Sequence, residues 1–249
     1  MDFELVHNLA LKKLKNFKNN PFQYFIKAIM GGVYLEIAMI LSVSLGATLA
    51  NINPTVSSIG FAGLFGIAFV MIVFLNGELF TGNVFVTSFA LFHKTEKAQN
   101  VVSLLALNYL GNLIGASFIA YLYIKSGTQS DLVTPFITKV TLTKLHYGLN
   151  QVFIKSILCN LIVCVAAYVS IKVQDETARI IMMIIVVMAF VLPGFDHSIA
   201  NIGLFAMNLF SLEVQSFSAM AANVGIATLG NILGGGLVYA LPIYFITKD

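Results

Sequence analysis

Phe195-Asp196-His197-Ser198-Ile199-Ala200-Asn201 sets an acid, a histidine and hydrogen-bonding side chains inside an otherwise apolar run, Ile180 to Pro193 before it and Ile202 to Phe210 after it. An ionisable side chain at membrane depth costs roughly 2.5–3.5 kcal/mol on insertion scales, so it reads as functional. Pro193 and Gly194 immediately precede the cluster and end a helix there. The stretch therefore reads as a discontinuous helix that holds His197 near the middle of a bilayer. Channels and transporters are built this way, and soluble proteins rarely are.

Composition agrees. Of 249 residues, 58% are hydrophobic and 10% charged, against roughly 25% charged in soluble domains. Apolar stretches run at about 27–51, 60–92, 101–125, 149–171, 180–210 and 221–247. Each uninterrupted one meets the roughly 20-residue requirement for a span. The stretches 60–92 and 180–210 are interrupted and too long for one straight crossing, which predicts a half-helix, a loop and a second half-helix in each. The expected fold is an all-α polytopic membrane protein with six transmembrane helices, the second and fifth broken. Residues 1–26 read as an amphipathic arm lying on the membrane surface, and 27–249 as a single channel domain. The Lys-rich first 20 residues have no apolar core and do not read as a cleavable signal peptide.

Lysines set the expected orientation. Lys12, Lys13, Lys15, Lys18, Lys27, Lys94, Lys97, Lys172, Arg179 and Lys248 fall on one side of a six-span arrangement, and Lys125, Lys139 and Lys144 on the other, with Glu213 after span five. The positive-inside rule puts both termini in the cytoplasm. The net charge of +3 is thus a topology signal, and the basic arm, directly against a span, does not read as a nucleic-acid site. Arg179 is the lone arginine among 14 basic residues, a usage that fits an AT-rich bacterial genome, and the expected location is a bacterial inner membrane. Cys159 and Cys164 point about 140° apart on a helix of 3.6 residues per turn and cannot bridge. His7, His93, His146 and His197 are scattered, and no metal-ligand or cofactor motif is readable.

The chain also repeats itself. Leu110-Gly111-Asn112-Leu113-Ile114-Gly115 returns as Leu229-Gly230-Asn231-Ile232-Leu233-Gly234, and Glu78-Leu79-Phe80-Thr81-Gly82-Asn83 is echoed by Asp196-His197-Ser198-Ile199-Ala200-Asn201. The separations, 119 (111 to 230) and 118 (78 to 196), agree on one register. Three spans per repeat (about 27–125 and 149–247) require opposite orientations of the halves, which places a pathway at the repeat interface. The repeated Gly-x-x-x-Gly reads as a close-packing face.

At each break Glu78 or Asp196 precedes a helix start whose free N–H groups favour anions. Asp196 is expected to cap the second half-helix, with Thr81 similarly placed in the first. The two carboxylates are expected to face away from the path, accepting hydrogen bonds from loop amides, while backbone N–H groups, Thr81 and His197 form a donor-rich site for a small anion. Desolvation is expected to keep His197 neutral. Asn83 and Asn201 follow the two acids and support the breaks. Glu36 lies near mid-depth in span one, facing either a central axis or a neighbouring subunit, and Lys155 is expected to snorkel to the surface.

Leu-Phe-Thr-Gly-Asn at 79–83 and Phe-Asp-His-Ser-Ile-Ala-Asn at 195–201 resemble the formate/nitrite transporter family, which includes hydrosulfide channels. Cys159-Asn160-Leu161-Ile162-Val163-Cys164 and Gly230-Asn231 fit the same pattern, and the resemblance covers roughly residues 20–247. It implies an aquaporin-like fold, a homopentamer and one pore per protomer. It also implies His197 as the central pore histidine, Thr81 as its loop partner, Lys144 as an external vestibule lysine, and Asn160 and Asn231 as polar residues near the pore. Leu79 and Phe190 then match an external constriction, and Phe65, Phe69 and Val163 a cytoplasmic one. The expected substrates are hydrosulfide, formate and nitrite, with a lean towards hydrosulfide. The alternatives are a proton-coupled transporter of the same anions, with Glu36 or Glu78 as proton carrier, and an aquaporin-like neutral-solute pore, although neither break carries Asn-Pro-Ala. No nucleophile–base pair supports an enzyme.

Overall fold

The computed structural model describes residues 2–212 and 216–247, and every regular element among them is helical. Glu213 and Lys248, used above for orientation, lie outside the described residues.

The arm forms α1 (Asp2–Asn19), burying Val6, Ala10 and Leu14 at four-residue spacing while Lys12, Lys15 and Lys18 stay exposed. Asn20 ends it and starts α2 (Pro21–Ala50), its side chain accepting from Gln23 N at 2.9 Å with proline in the first turn. Asn53 repeats that device for α3 (Pro54–Gly63), accepting from Thr55 N at 2.7 Å. After α4 (Ile67–Phe74) the chain turns through Asn76, at a left-handed φ of 57°, into α5 (Phe80–Phe92). The remaining helices are α6 (Ala98–Lys125), α7 (Ser130–His146), α8 (Leu149–Lys172), α9 (Glu176–Val191), α10 (Ser198–Phe210) and α11 (Phe217–Leu233), which runs through a π-helical Gly234–Ala240 into α12 (Leu241–Thr247).

By length and composition α2, the stretch Pro54–Phe74, α6, α8 and the stretch Phe217–Thr247 are each able to cross a membrane. Helices α5 and α10, at 13 residues, and α9, at 16, are shorter than the roughly 20 residues a span needs. The first interrupted stretch starts earlier than expected, at Pro54, and is broken twice, at residues 64–66 and at 75–79. Helix α7 lies in a segment where no element was expected. Asp131, Pro135, Lys139 and Lys144 hide its periodicity, yet Val133, Ile137 and Thr141 are buried at four-residue spacing.

The Gly-x-x-x-Gly pairs do pack helices. Gly111 and Gly115 press α6 on α2, where a Cβ on Gly115 would overlap the Ile29 carbonyl oxygen. Gly230 and Gly234 do the same for α11 on α8, against the carbonyl oxygens of Phe153 and Ile157. These contacts bring both breaks to the centre of the helix bundle, where Phe85, Phe89, Ile199 and Leu204 are fully buried.

Candidate functional site

Each break is held by an asparagine, and the first also by Asn108, which donates to the Glu78 carbonyl at 2.8 Å. Asn112 donates to the carbonyls of Glu78 at 2.8 Å and Ala28 at 2.7 Å, and its side-chain oxygen accepts from Phe80 N at 2.9 Å. Asn231 donates to the carbonyls of Asp196 at 3.0 Å and Ser156 at 2.8 Å, and accepts from Ser198 N at 2.9 Å. The asparagine, the break carbonyl and the break N–H stand 118 or 119 residues apart, the spacing of the sequence repeat, while the helix carbonyls of Ala28 and Ser156 are 128 apart. These bonds satisfy backbone groups that a broken helix leaves open and that water cannot reach. Asn112 was visible as the repeat partner of Asn231, and that equivalence was the signal for its role.

The two breaks meet through Thr81 Oγ1 and His197 Nε2, 2.8 Å apart and both buried. His197 is itself the N-cap of α10: its Nδ1 accepts from Ala200 N at 3.2 Å. An N–H can only donate, so Nδ1 carries no proton and the neutral ring bears its hydrogen on Nε2. Nε2–H then donates to Thr81, whose own hydroxyl hydrogen is free to turn towards a third group. The cap expected of Asp196 is thus made by His197, because the extended backbone of His197 (φ −96°, ψ 117°) is the last residue outside the helix. Thr81 does not cap either. Helix α5 begins one residue before it, after Leu79, without a side-chain cap. Asn160 ties the pair to the rest, donating to the carbonyls of Thr81 at 3.3 Å and Asn231 at 2.6 Å.

The carboxylates are held by side chains rather than by loop amides. Asp196, fully buried, accepts at Oδ1 from Lys144 and from Asn201, each at 2.9 Å. Glu78 accepts from Asn83 at 2.8 Å, from Tyr24 and from Lys13 of α1. Sequence reasoning missed Lys13 and Tyr24, because nothing in the arm's composition separates Lys13 from its neighbours. Each acid therefore sits between an asparagine five residues on and a lysine from a flanking helix.

Two cavities flank the Thr81–His197 pair. One, of about 360 Å³, is lined by Lys144, Lys155, Phe65, Phe190 and His197. The other, of about 300 Å³, is lined by Lys13, Glu78, Phe69 and Leu79. Phe65 and Phe190 meet edge to face with ring centroids 6.3 Å apart, and Phe190 stacks on His197 at 5.9 Å. Phe65 and Leu79 exchange the sides assigned to them. Phe65 lies with Phe190 on the Lys144 side because α3 ends there, and Leu79 lies with Phe69 on the arm side because the break turns it towards α1. Val163 is buried in the core and lines neither cavity. Glu36 faces neither an axis nor another subunit: it is 0% exposed inside the protomer, against Gly203 of α10. Lys155 does not snorkel; it lies 3.4 Å from Asp196 Oδ2 and 3.5 Å over the Tyr147 ring. Cys159 and Cys164 are buried free thiols.

Comparison with known proteins agrees with this arrangement. The family description "Formate/nitrite transporter" matches residues 3–245. The nitrite transporter NirC of Escherichia coli (strain K12) is 30% identical over 232 residues, covering 92% of this chain and 85% of NirC. A Bacillus subtilis (strain 168) protein, the uncharacterized transporter YwcJ, is 28% identical over 98% of this chain and 96% of its own. Among solved structures, an FNT family ion channel superposes with a TM-score of 0.92 at 27% identity, covering 99% of each chain. A pentameric formate channel with formate bound has the same fold, with a TM-score of 0.80 at 22% identity over 93% of this chain and 99% of its own. A multi-pass helical protein whose whole described length matches transporters and channels is not an enzyme; the chain belongs to the formate/nitrite transporter family.

Proposed function

We propose that the chain is a channel for small monovalent anions of weak acids, with hydrosulfide, formate and nitrite as candidates and hydrosulfide favoured as the least demanding in shape. The observation that carries this reading is the buried Thr81–His197 hydrogen bond of 2.8 Å between two cavities that each hold a lysine and phenylalanine side chains. A bare anion entering the apolar zone of Phe65, Phe190, Phe69 and Leu79 meets an idealised desolvation penalty of order 20 kcal/mol. Lysines at the mouths concentrate the anion by long-range attraction. The Thr81 hydroxyl, polarised by the His197 Nε2–H behind it, then offers a donor at the narrowest depth. Uptake of a proton from vestibule water converts the anion to its neutral acid and removes most of the penalty.

The matched clamps at Asn112 and Asn231 support an inverted repeat, residues 27–125 and 149–247, within one six-span domain. The arm at 1–26 and both termini are assigned to the cytoplasmic side of a bacterial inner membrane by the positive-inside rule. The pentamer of the formate channel of the same fold supports a homopentamer here, with one pore in each protomer. Glu36, one carrier that proton coupling could use, lines neither cavity, and Glu78, which lines the arm-side cavity, is engaged by Lys13, Asn83 and Tyr24, so passive passage is the preferred reading. The test is flux of formate, nitrite and hydrosulfide side by side in proteoliposomes. Passage of at least one supports the assignment, and passage of water or glycerol with no anion flux overturns it.

A further inference from the structure

Lys155 stands in the wall of the Lys144-side cavity, on the second turn of α8. Both ammonium groups approach one carboxylate, but not equally. Asp196 Oδ1 is saturated by Lys144 and Asn201, each at 2.9 Å, and Lys144 also reaches the Phe195 carbonyl at 3.5 Å. Asp196 Oδ2 accepts no hydrogen bond, and Lys155 lies 3.4 Å from it as a bare ion pair. The remaining support of Lys155 is the Tyr147 ring, 3.5 Å from Nζ to centroid. A ring face stabilises an ammonium without consuming its N–H groups. Charge therefore does not balance here: two ammonium groups, each on a lysine 15% exposed, share one carboxylate, so one positive charge is left over beside that of Lys139, which lines the same cavity but is exposed.

We infer that Lys155 is the adjustable cation of this vestibule and that its ammonium, not that of Lys144, takes up the incoming small monovalent anion ahead of the His197–Thr81 pair. The inference rests on the anion path proposed above and names a binding residue for it. Withdrawing Lys144 would break two hydrogen bonds and strand a buried carboxylate, which is costly. Withdrawing Lys155 breaks no hydrogen bond, and the Lys144–Asp196 pair stays intact. The flexible four-carbon stem of lysine lets the ammonium leave Oδ2 for an anion in the cavity while its stem stays against Tyr147. Lys144 is then a positioning residue that fixes the break through Asp196, and Lys155 binds.

The test uses formate and the full-length protein. Flux in proteoliposomes is measured against formate concentration for wild type, K155M, K155Q and K155R, and formate binding to the purified proteins is measured by calorimetry. Loss of a charge-assisted contact is expected to raise the half-saturating concentration about tenfold or more in K155M and K155Q. The maximal rate should stay near that of wild type, and K155R should restore the half-saturating value. A purely structural Lys155 would instead lower the maximal rate with the half-saturating concentration unmoved, and that result overturns the inference. If wild type binds formate in a Lys155-dependent way but passes none, the proposed function fails and this site stands. If wild type neither binds nor passes formate, both fall.

Discussion

At the residue scale the decisive feature is the direction of two hydrogen bonds. Ala200 N–H can only donate, which makes His197 Nδ1 an acceptor and leaves the hydrogen on Nε2, aimed at Thr81. Adding a second proton would set Nδ1–H against the Ala200 N–H and uncap α10. His197 thus works as a fixed neutral donor behind the Thr81 hydroxyl. Thr81→Val removes that hydroxyl while keeping the shape, and leaves a buried Nε2–H without a partner. An orphaned buried donor costs about 1–3 kcal/mol, so anion flux should fall about 5- to 150-fold. Stopped-flow flux on matched amounts of reconstituted protein checks it, and a change of less than about twofold would contradict the role. The histidine and threonine were legible in the sequence because polar residues inside apolar runs stand out. The cap was not, because whether Asp196 or His197 is the last non-helical residue depends on backbone angles that the flanking Pro193 and Gly194 do not determine.

At the scale of elements, Asn112 and Asn231 perform one task in two places. Replacing Asn231 by leucine orphans the Asp196 carbonyl and Ser198 N–H, and replacing Asn112 orphans Phe80 N–H while the Glu78 carbonyl keeps Asn108, at roughly 1–3 kcal/mol for each orphaned group. Both Asn112→Leu and Asn231→Leu should therefore lower the thermal unfolding temperature and abolish flux, with the larger drop for Asn231→Leu. A variant that melts like wild type would show that the clamp is not what holds its break. The arm makes a second, pH-dependent attachment. Glu96, in the loop after α5, accepts from Lys18 of α1 and from Asn100, and these bonds lower its pKa from 4.5 to about 2. A depressed acid stabilises docking above its ordinary pKa and loses that contribution as pH falls from about 4.5 to about 2. His7, whose pKa burial lowers from 6.5, stacks on His93 with centroids 4.2 Å apart and also disfavours docking once protonated. Hydrogen-exchange protection factors in α1, taken against the intrinsic rate at each pH, should hence fall on acidification, first as pH drops below about 6.5 and again below about 4.5. Glu96→Gln should remove the second step; retention of that step would place its cause elsewhere. The pairing of arm and loop was not legible in the sequence, since Lys18 and Glu96 are 78 residues apart and each looks like an ordinary surface charge.

At the scale of the whole molecule, hydrophobic runs and their two interruptions were enough to predict an all-helical membrane protein, and the repeat register paired Asn112 with Asn231 without revealing the clamp that each makes. Helix α7 and the side on which Phe65 and Leu79 lie escaped prediction. Both depend on where the chain re-enters the bundle after a break, which local composition does not encode. The central claim joins the halves: a neutral His197 donating to Thr81 governs passage of a weak-acid anion between the two cavities. The direct measurement is the pH dependence of formate and hydrosulfide flux in proteoliposomes for wild type and His197→Asn. Asparagine can still accept from Ala200 N, but it lacks a ring N–H to reach Thr81. With His197 a fixed neutral donor and the proton drawn from water, the account predicts that the variant folds and that its flux falls at every pH while the profile keeps the shape of wild type. Flux equal to that of wild type, or a profile of different shape, would contradict it.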